Sequence, residues 1–375
     1  MADRIRAIVA GLADLEDVTG VCATADERVA RGDCAFAADL GIACATAYGA
    51  AGRAWQYRSV FDHVLRLLAT TRGAENVAQA LRLVSSSPRA GARKLDRYMA
   101  SLLASGHEAE DLTVVFTGRA QEELRACLVH ELVLRGVSVE ETPGIAGWAR
   151  SRHWSRHPLR WLPPTLSDLE RGADLPSHGV RGRSHSMPYD SSAGREPALT
   201  GGARVPPVRE TTTPAAATAL GRAVANWAEE SNGRVEARVF AMAEPLESPA
   251  VPKALGALGL ACLRGAGRKT ALSVTVHPVA HAWRVLFAAA STGGAYNSGW
   301  YGAYGRLAAW QSLAAMARCP HGATAGEVEE RVRDCVWHGF SAGTAWFEHV
   351  GWDIGLAALA PDRRSLAVLA ATDTD

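Results

Sequence analysis

Residues Ser291 to Gln311, STGGAYNSGWYGAYGRLAAWQ, separate Tyr296, Trp300, Tyr301 and Tyr304 with glycines and set Asn297 and Arg306 among them. Two kinds of chemistry suit such a stretch. Glycines ahead of a helix leave its first backbone N–H groups open to an anion, with the helix dipole and Arg306 adding positive potential. Alternatively, rings standing clear of a glycine backbone wall a pocket, with tyrosine and tryptophan offering polar tips. The spacing Gly293, Gly294, Gly299, Gly302, Gly305, with no lysine, matches neither GxGxxG nor GxxxxGK[ST], so no phosphate fingerprint is present. A purely structural reading has the same rings filling the gap between a sheet and the following helix.

Other chemistry-bearing residues are scattered. His277 and His281 in TVHPVAHAW are four apart, but Pro278 pushes the residue before it out of helical geometry, so two histidines at a strand end is the reading favoured here. His130 and Glu131 begin an HExxH pattern that lacks its second histidine. No serine sits in GxSxG, and no cysteine has a histidine that the sequence places beside it. Asp353, with the acidic end at Asp373 and Asp375, supplies oxygen ligands only, which would suit Mg²⁺ or Ca²⁺ rather than zinc, but a solvated tail is the favoured reading. No cofactor and no metal are expected. If the chain is an enzyme, its site is formed by Tyr296, Asn297, Trp300, Tyr301, Tyr304 and Arg306, with His277 or Asp353 carrying protons.

The sharpest charge feature is RSRHWSRHPLRW, Arg150 to Trp161, in which Arg152, Arg156 and Arg160 alternate with Trp154 and Trp161 and no acid intervenes. Arginine holds phosphate and tryptophan stacks on bases, which is the nucleic-acid reading. The competing and favoured reading is a strap whose tryptophans pack while its arginines stay in water.

Composition bounds these readings. The 375 residues carry a formal charge of +1, which gives no general attraction to nucleic acid or an anionic membrane. Hydrophobic residues make up 48%, enough to build cores. Of the 40 basic residues only Lys94, Lys253 and Lys269 are lysine, a coding bias that drains meaning from arginine abundance. Seven cysteines without a CxxC pair argue against a disulfide scaffold or zinc ribbon. Acidic residues interrupt the N-terminal apolar run, and no segment resembles a membrane span, so a cytoplasmic location is expected.

The elements that must position these residues fall into two parts. Residues 1–150 show apolar side chains at helical spacing, as in Val60, Val64, Leu67 and Leu68, then Val77, Leu81 and Val84, then Leu95, Met99 and Leu102. Ser87 before Pro88 is a helix start and Gly136 a helix stop. This predicts a helical domain, a bundle or HEAT-like stack, with a competing βαβ reading in which Leu112–Phe116 and Val137–Glu140 are strands. Residues 163–213, rich in Pro, Gly, Ser and Arg, predict a long flexible linker. Residues 214–375 predict an α+β domain. Thr213 caps a helix there, RVEARVFAM alternates as a strand, and a helix over Pro252–Arg264 precedes a strand near Leu272–Val276. Trp283–Ala289 alternates as a strand, Thr324 with Glu327 forms a capping box, and two apolar runs flank Pro361-Asp362 as a hairpin.

CLVHELVLRG, GGAYNSGWYGAYGRLAAW and WDIGLAALAPDRRSLAVLAATDTD resemble stretches of an uncharacterised actinobacterial protein family of unknown function. That resemblance covers most of both folded parts and implies no reaction, cofactor or catalytic residue. The function expected is therefore binding of a protein or a small ligand. An enzyme of unrecognised class around residues 291–311 is the alternative, and nucleic-acid binding through residues 150–161 is the third.

Overall fold

The chain buries its apolar periodicities in two compact units, Met1–Arg160 with Pro176–His185, and Trp161–Leu175 with Ser186–Asp375. The computed structural model describes residues 2–50, 54–86, 92–189, 204–266, 272–349 and 351–374. The Ser87-Pro88 helix start and Asp375 lie outside the described residues.

The first unit is helical: α1 (Ala2–Gly11), α2 (Thr19–Ala30), α3 (Cys34–Ala50), α4 (Trp55–Thr70), α5 (Ala74–Ser85), α6 (Arg93–Gly106), α7 (Thr113–Thr117), α8 (Glu122–Leu134), α9 (Pro143–Trp148) and α10 (Arg152–Arg156). Helices one or two places apart in sequence pack on each other, α3 on α4 and α5, α4 on α6, and α6 on α8. Val60, Val64 and Leu68 of α4, Val77 of α5 and Met99 and Leu102 of α6 are fully buried, as their spacing requires. The strand reading of Leu112–Phe116 is overturned, because Thr113–Thr117 is a helical turn. Val137–Glu140 forms no strand either. A small antiparallel hairpin, β1 (Ser177–Gly179) with β2 (Gly182–Ser184), belongs to this unit, and Arg66 Nε donates to Val180 O at its turn over 2.8 Å.

The second unit is built on a six-stranded antiparallel sheet of order β3-β4-β8-β7-β6-β5, with β3 (Val208–Glu210), β4 (Arg234–Met242), β5 (Leu272–His277), β6 (Val336–Ala342), β7 (Trp352–Leu359) and β8 (Ser365–Asp373). Its helices are α11 (Pro214–Leu220), α12 (Ala225–Glu230), α13 (Val251–Ala257), α14 (Val279–Thr292), α15 (Tyr301–Met316) and α16 (Ala325–Asp334). Phe240, Val274, Phe340, Ala357, Leu359 and Val368 share a core with Val251, Ala254 and Leu255 of α13. α11 also contacts β4, and α14 contacts β6. The hairpin around Pro361-Asp362 joins β7 to β8 and the capping box at Thr324 and Glu327 starts α16, both as expected.

Trp283–Ala289 is a correction: it lies inside α14, not in a strand. Every residue from Val285 to Thr292 is buried, so apolar side chains occur on all sides of the helix, and the alternation of Trp283, Val285 and Phe287 reports no sheet face. Pro278 ends the strand and caps the helix, leaving His277 on β5 and His281 in the first turn of α14. The helix expected over Pro252–Arg264 is shorter, closing at Ala257 before a 3-10 turn at Ala261–Leu263.

The region expected as a linker, 163–213, contains ordered segments on both sides of residues 190–203, which lie outside the described residues. Ser167 and Glu170 form a capping box on the 3-10 turn Asp168–Glu170, and Val208–Glu210 adds a strand to the sheet.

His338, fully buried on β6 opposite Val276, finds no hydrogen-bond partner for either ring nitrogen. Burial first, then the nearby charge of His277, pushes its imidazole down to about 4. An unfolded histidine takes its proton near pH 6.5, so between that pH and about 4 the unfolded chain binds the extra proton and stability is lost as the pH is lowered. Denaturant unfolding at stepped pH should show a loss on the order of 3 kcal/mol across that window, by linkage at about 1.4 kcal/mol per unit. His338→Gln should flatten that part of the profile; identical slopes for variant and wild type reject the assignment.

Candidate functional site

The glycine-spaced stretch links α14 to α15, and its polar groups are used within the fold. Carbonyls at the end of α14 are met from several directions. Asn226 Nδ2 donates to Ala289 O and Ala290 O at 3.3 and 3.2 Å, Trp227 Nε1 donates to Ala289 O at 3.1 Å, and the Trp300 N–H donates to Ala290 O at 2.8 Å. Asn297 Nδ2 donates to Asn226 O at 2.8 Å while its Oδ1 accepts from the Gly299 N–H at 2.9 Å. Gly293 takes φ of 85°, and a Cβ there would overlap Asn297 Oδ1; a Cβ on Gly294 would overlap Asp373 Oδ2. Asp373, 2% exposed, accepts from the Ala295 N–H at 2.7 Å, pinning the loop to the end of β8.

The rings of this stretch divide. Tyr296 is 58% exposed, Tyr301 is buried with φ of 61°, and Trp300 and Tyr304 are half-buried. Arg306 points away from any anion in solution. Its guanidinium is fully buried, with Nε and Nη2 on the two carboxylate oxygens of Glu170 at 2.6 and 2.7 Å, Nη1 on Pro163 O at 3.0 Å and Nη2 also on Thr165 O at 2.8 Å. Glu170 in turn accepts from Trp310 Nε1 at 2.7 Å and from the Ser167 N–H at 2.8 Å.

The remaining candidates lie apart from that loop in their bonding. His277 is buried, stacks on His281 at 4.1 Å between centroids, and shares a 2.8 Å hydrogen bond with Thr275 Oγ1. Asp353 Oδ2 accepts from the His349 N–H at 2.6 Å, while its buried Oδ1 finds no partner. In the basic stretch Arg152, Arg156 and Arg160 are exposed, whereas Trp154 is buried against Trp148 and His130 with centroids 5.6 and 5.5 Å away. A base cannot stack on a ring so enclosed. Among the described residues no group of three or more His, Cys, Asp and Glu side chains is placed to hold a metal ion.

A concave surface does occur in the second unit, an open groove of about 620 Å³. Its size falls within the usual span of ligand pockets. α11 lines it with Ala215, Thr218 and Ala219, and Arg222 follows one turn on, the i, i+3, i+4, i+7 spacing of a single helical face. α15 contributes Gln311, Ala314 and Ala315 by the same periodicity. Trp161 and the segment Cys319–Ala323 complete the walls, the Trp161 ring being held by Nε1 donating to Ala323 O at 3.1 Å. Burial pushes the Cys319 thiol up, with Arg331 opposing, so it stays protonated and is a poor nucleophile.

Trp161 and Gln311 stood inside stretches singled out from the sequence, but for other chemistry. Arg222 and His321 were missed: a lone arginine in an arginine-rich chain and a lone histidine carry no signal. Only the small-residue face at 215, 218 and 219 hints at a groove.

A family model, described as a family of unknown function (DUF6183), matches residues 19–375. No curated protein and no solved structure matches the chain.

Removing one partner of the Arg306–Glu170 pair leaves an uncompensated buried charge. Glu170→Gln should cost about 3–5 kcal/mol of unfolding free energy in urea titrations. A loss below about 1 kcal/mol, the scale of an exposed pair, rejects the buried-pair assignment.

Proposed function

We propose, from the premise that the chain belongs to the DUF6183 family of unknown function, that it is a binding protein for a small ligand held in the groove of its second unit. The observation that carries this reading is the combination of an apolar, concave floor with polar side chains left unengaged. Arg222, Gln311 and His321 line the groove, and none makes a side-chain hydrogen bond or ion pair among the described residues. A few convergent polar groups over apolar walls is the arrangement that orients a bound molecule. The aromatic loop of Tyr296, Trp300 and Tyr301 is a weaker candidate, because Asn297, Asp373 and Arg306 around it are committed to the fold.

Catalysis receives no support from the groove itself. Among the described residues the Cys319 thiol is held protonated, and no carboxylate lines the groove to act with His321 as an acid–base pair. No helix among the described residues is long and apolar enough to cross a membrane, which accords with a cytoplasmic protein. The scarcity of lysine accords with an actinobacterial-type source.

Equilibrium dialysis against a small-molecule cell extract, followed by mass spectrometry of retained compounds, tests the reading. The wild-type chain should concentrate at least one compound, and Ala315→Trp, which fills the floor of the groove, should lose it while keeping the wild-type circular dichroism. Equal retention by both, or none by either, overturns the proposal.

A further inference from the structure

We infer that the groove takes a carboxylate with a flat apolar body, the charge on Arg222 and the body over the alanine floor beside Trp161; this rests on the groove being a ligand site. The charge follows from the lining. Arg222 is exposed and without an ion pair among the described residues, whereas Arg238, Arg306 and Arg363 of the same unit are matched to carboxylates. Among the described residues no aspartate or glutamate lines the groove to neutralise Arg222, and His321 adds a second nitrogen donor. A guanidinium presents a planar pair of N–H donors that suits a carboxylate in two-point contact.

The count of donors sets the size of the anion. One arginine, one histidine and one glutamine amide fit a single carboxylate. A di- or triphosphate calls for more positive charge than one arginine supplies. The described lining offers no acidic side-chain oxygen to a divalent cation. A sugar needs a denser set of hydrogen-bonding side chains than Thr218 and Gln311 provide.

The shape of the body follows from the walls. Ala215, Ala219, Ala314 and Ala315 project one methyl each, leaving a low and even floor between two helices. Trp161 cannot swing freely while its indole N–H is bonded to Ala323 O, so its ring is a fixed wall. Planar rings bury the most surface against such a floor and gain from contact with a tryptophan.

Isothermal titration with 1-naphthoate and its uncharged analogue 1-naphthamide separates the parts of this inference. The wild-type chain should bind naphthoate at least about tenfold more tightly than naphthamide, the worth of one charge-assisted contact. Arg222→Gln should erase that difference, Arg222→Lys should keep part of it, and Ala315→Trp should abolish binding of both. Because Arg222 makes no side-chain hydrogen bond or ion pair among the described residues, its replacement should leave thermal unfolding unchanged, which is checked alongside. Equal affinity for the two probes, no effect of Arg222→Gln, or no binding of naphthoate overturns the ligand class. If the dialysis experiment then still retains an uncharged compound that Ala315→Trp loses, the groove stands and only the class falls; if it retains nothing, both fall.

Discussion

The ion pair between Arg306 and Glu170 is the constraint from which the second unit takes its shape. Both side chains are shut off from water, a state that costs several kcal/mol per charge unless geometry and hydrogen bonding offset it. Here the offset is nearly complete, with Arg306 also bonded to the carbonyls of Pro163 and Thr165, and Glu170 also bonded to Trp310 and to the Ser167 backbone. A pair so fully satisfied contributes less to net stability than to uniqueness, because any other path for residues 163–170 strands a charge in the interior. The segment is thereby fastened along α15. Trp161 stands two residues before Pro163, so the same fastening sets the wall of the groove.

A second constraint acts at Gly305, the residue before Arg306 in α15. α14 and α15 pack so closely that a Cβ on Gly305 would lie 2.6 Å from the Ser291 Cβ. Such proximity leaves little room for the connection, and the loop uses glycine where it must pass Asn297 and Asp373. The aromatic residues between the glycines are consequences of that crossing: Tyr301 plugs the core, Trp300 satisfies the end of α14 through its backbone, and Tyr296 is left in water. The loop is ordered for a mechanical reason, and order alone therefore does not mark it as a site.

These two constraints also explain what could be read from sequence. The helices of the first unit, β4, the hairpin of β7 and β8, and the caps at Thr213 and Thr324 follow from neighbours a few residues apart, and they appear as their periodicities and capping residues require. The path of residues 163–175 depends on Glu170 finding Arg306, 136 positions away, and no local pattern announces that. Composition across 163–213 reads as linker because proline, glycine, serine and arginine are abundant, while a single buried glutamate decides the path of its first part. α14 failed for a different reason: burial on nearly all sides removes the polar face by which a helix declares its period. The site was legible only in fragments. Trp161 and Gln311 drew notice as aromatic and basic neighbours, but a groove is a relation between α11 and α15 that neither helix states by itself.

The alanines of that groove carry the last step. Small residues at facing helical positions ordinarily let two helices close on each other, and the alanines are then buried. In the second unit they are not: Ala215 and Ala219 are exposed, and Ala314 and Ala315 are half-buried. The helices therefore approach without closing over this face, held at that separation below it by Leu220 and Ala223 on one side and Leu313 on the other, all fully buried, and by the 2.9 Å bond from the Ala223 N–H to Ser312 Oγ. Larger side chains at the four alanine positions would fill the groove and bury more apolar surface, which would stabilise the unit. Keeping the floor low forgoes that gain, and an unpaired arginine at its rim adds no packing in return. A surface that gives up burial on one face while the layer beneath it is tightly packed is shaped for something other than its own stability.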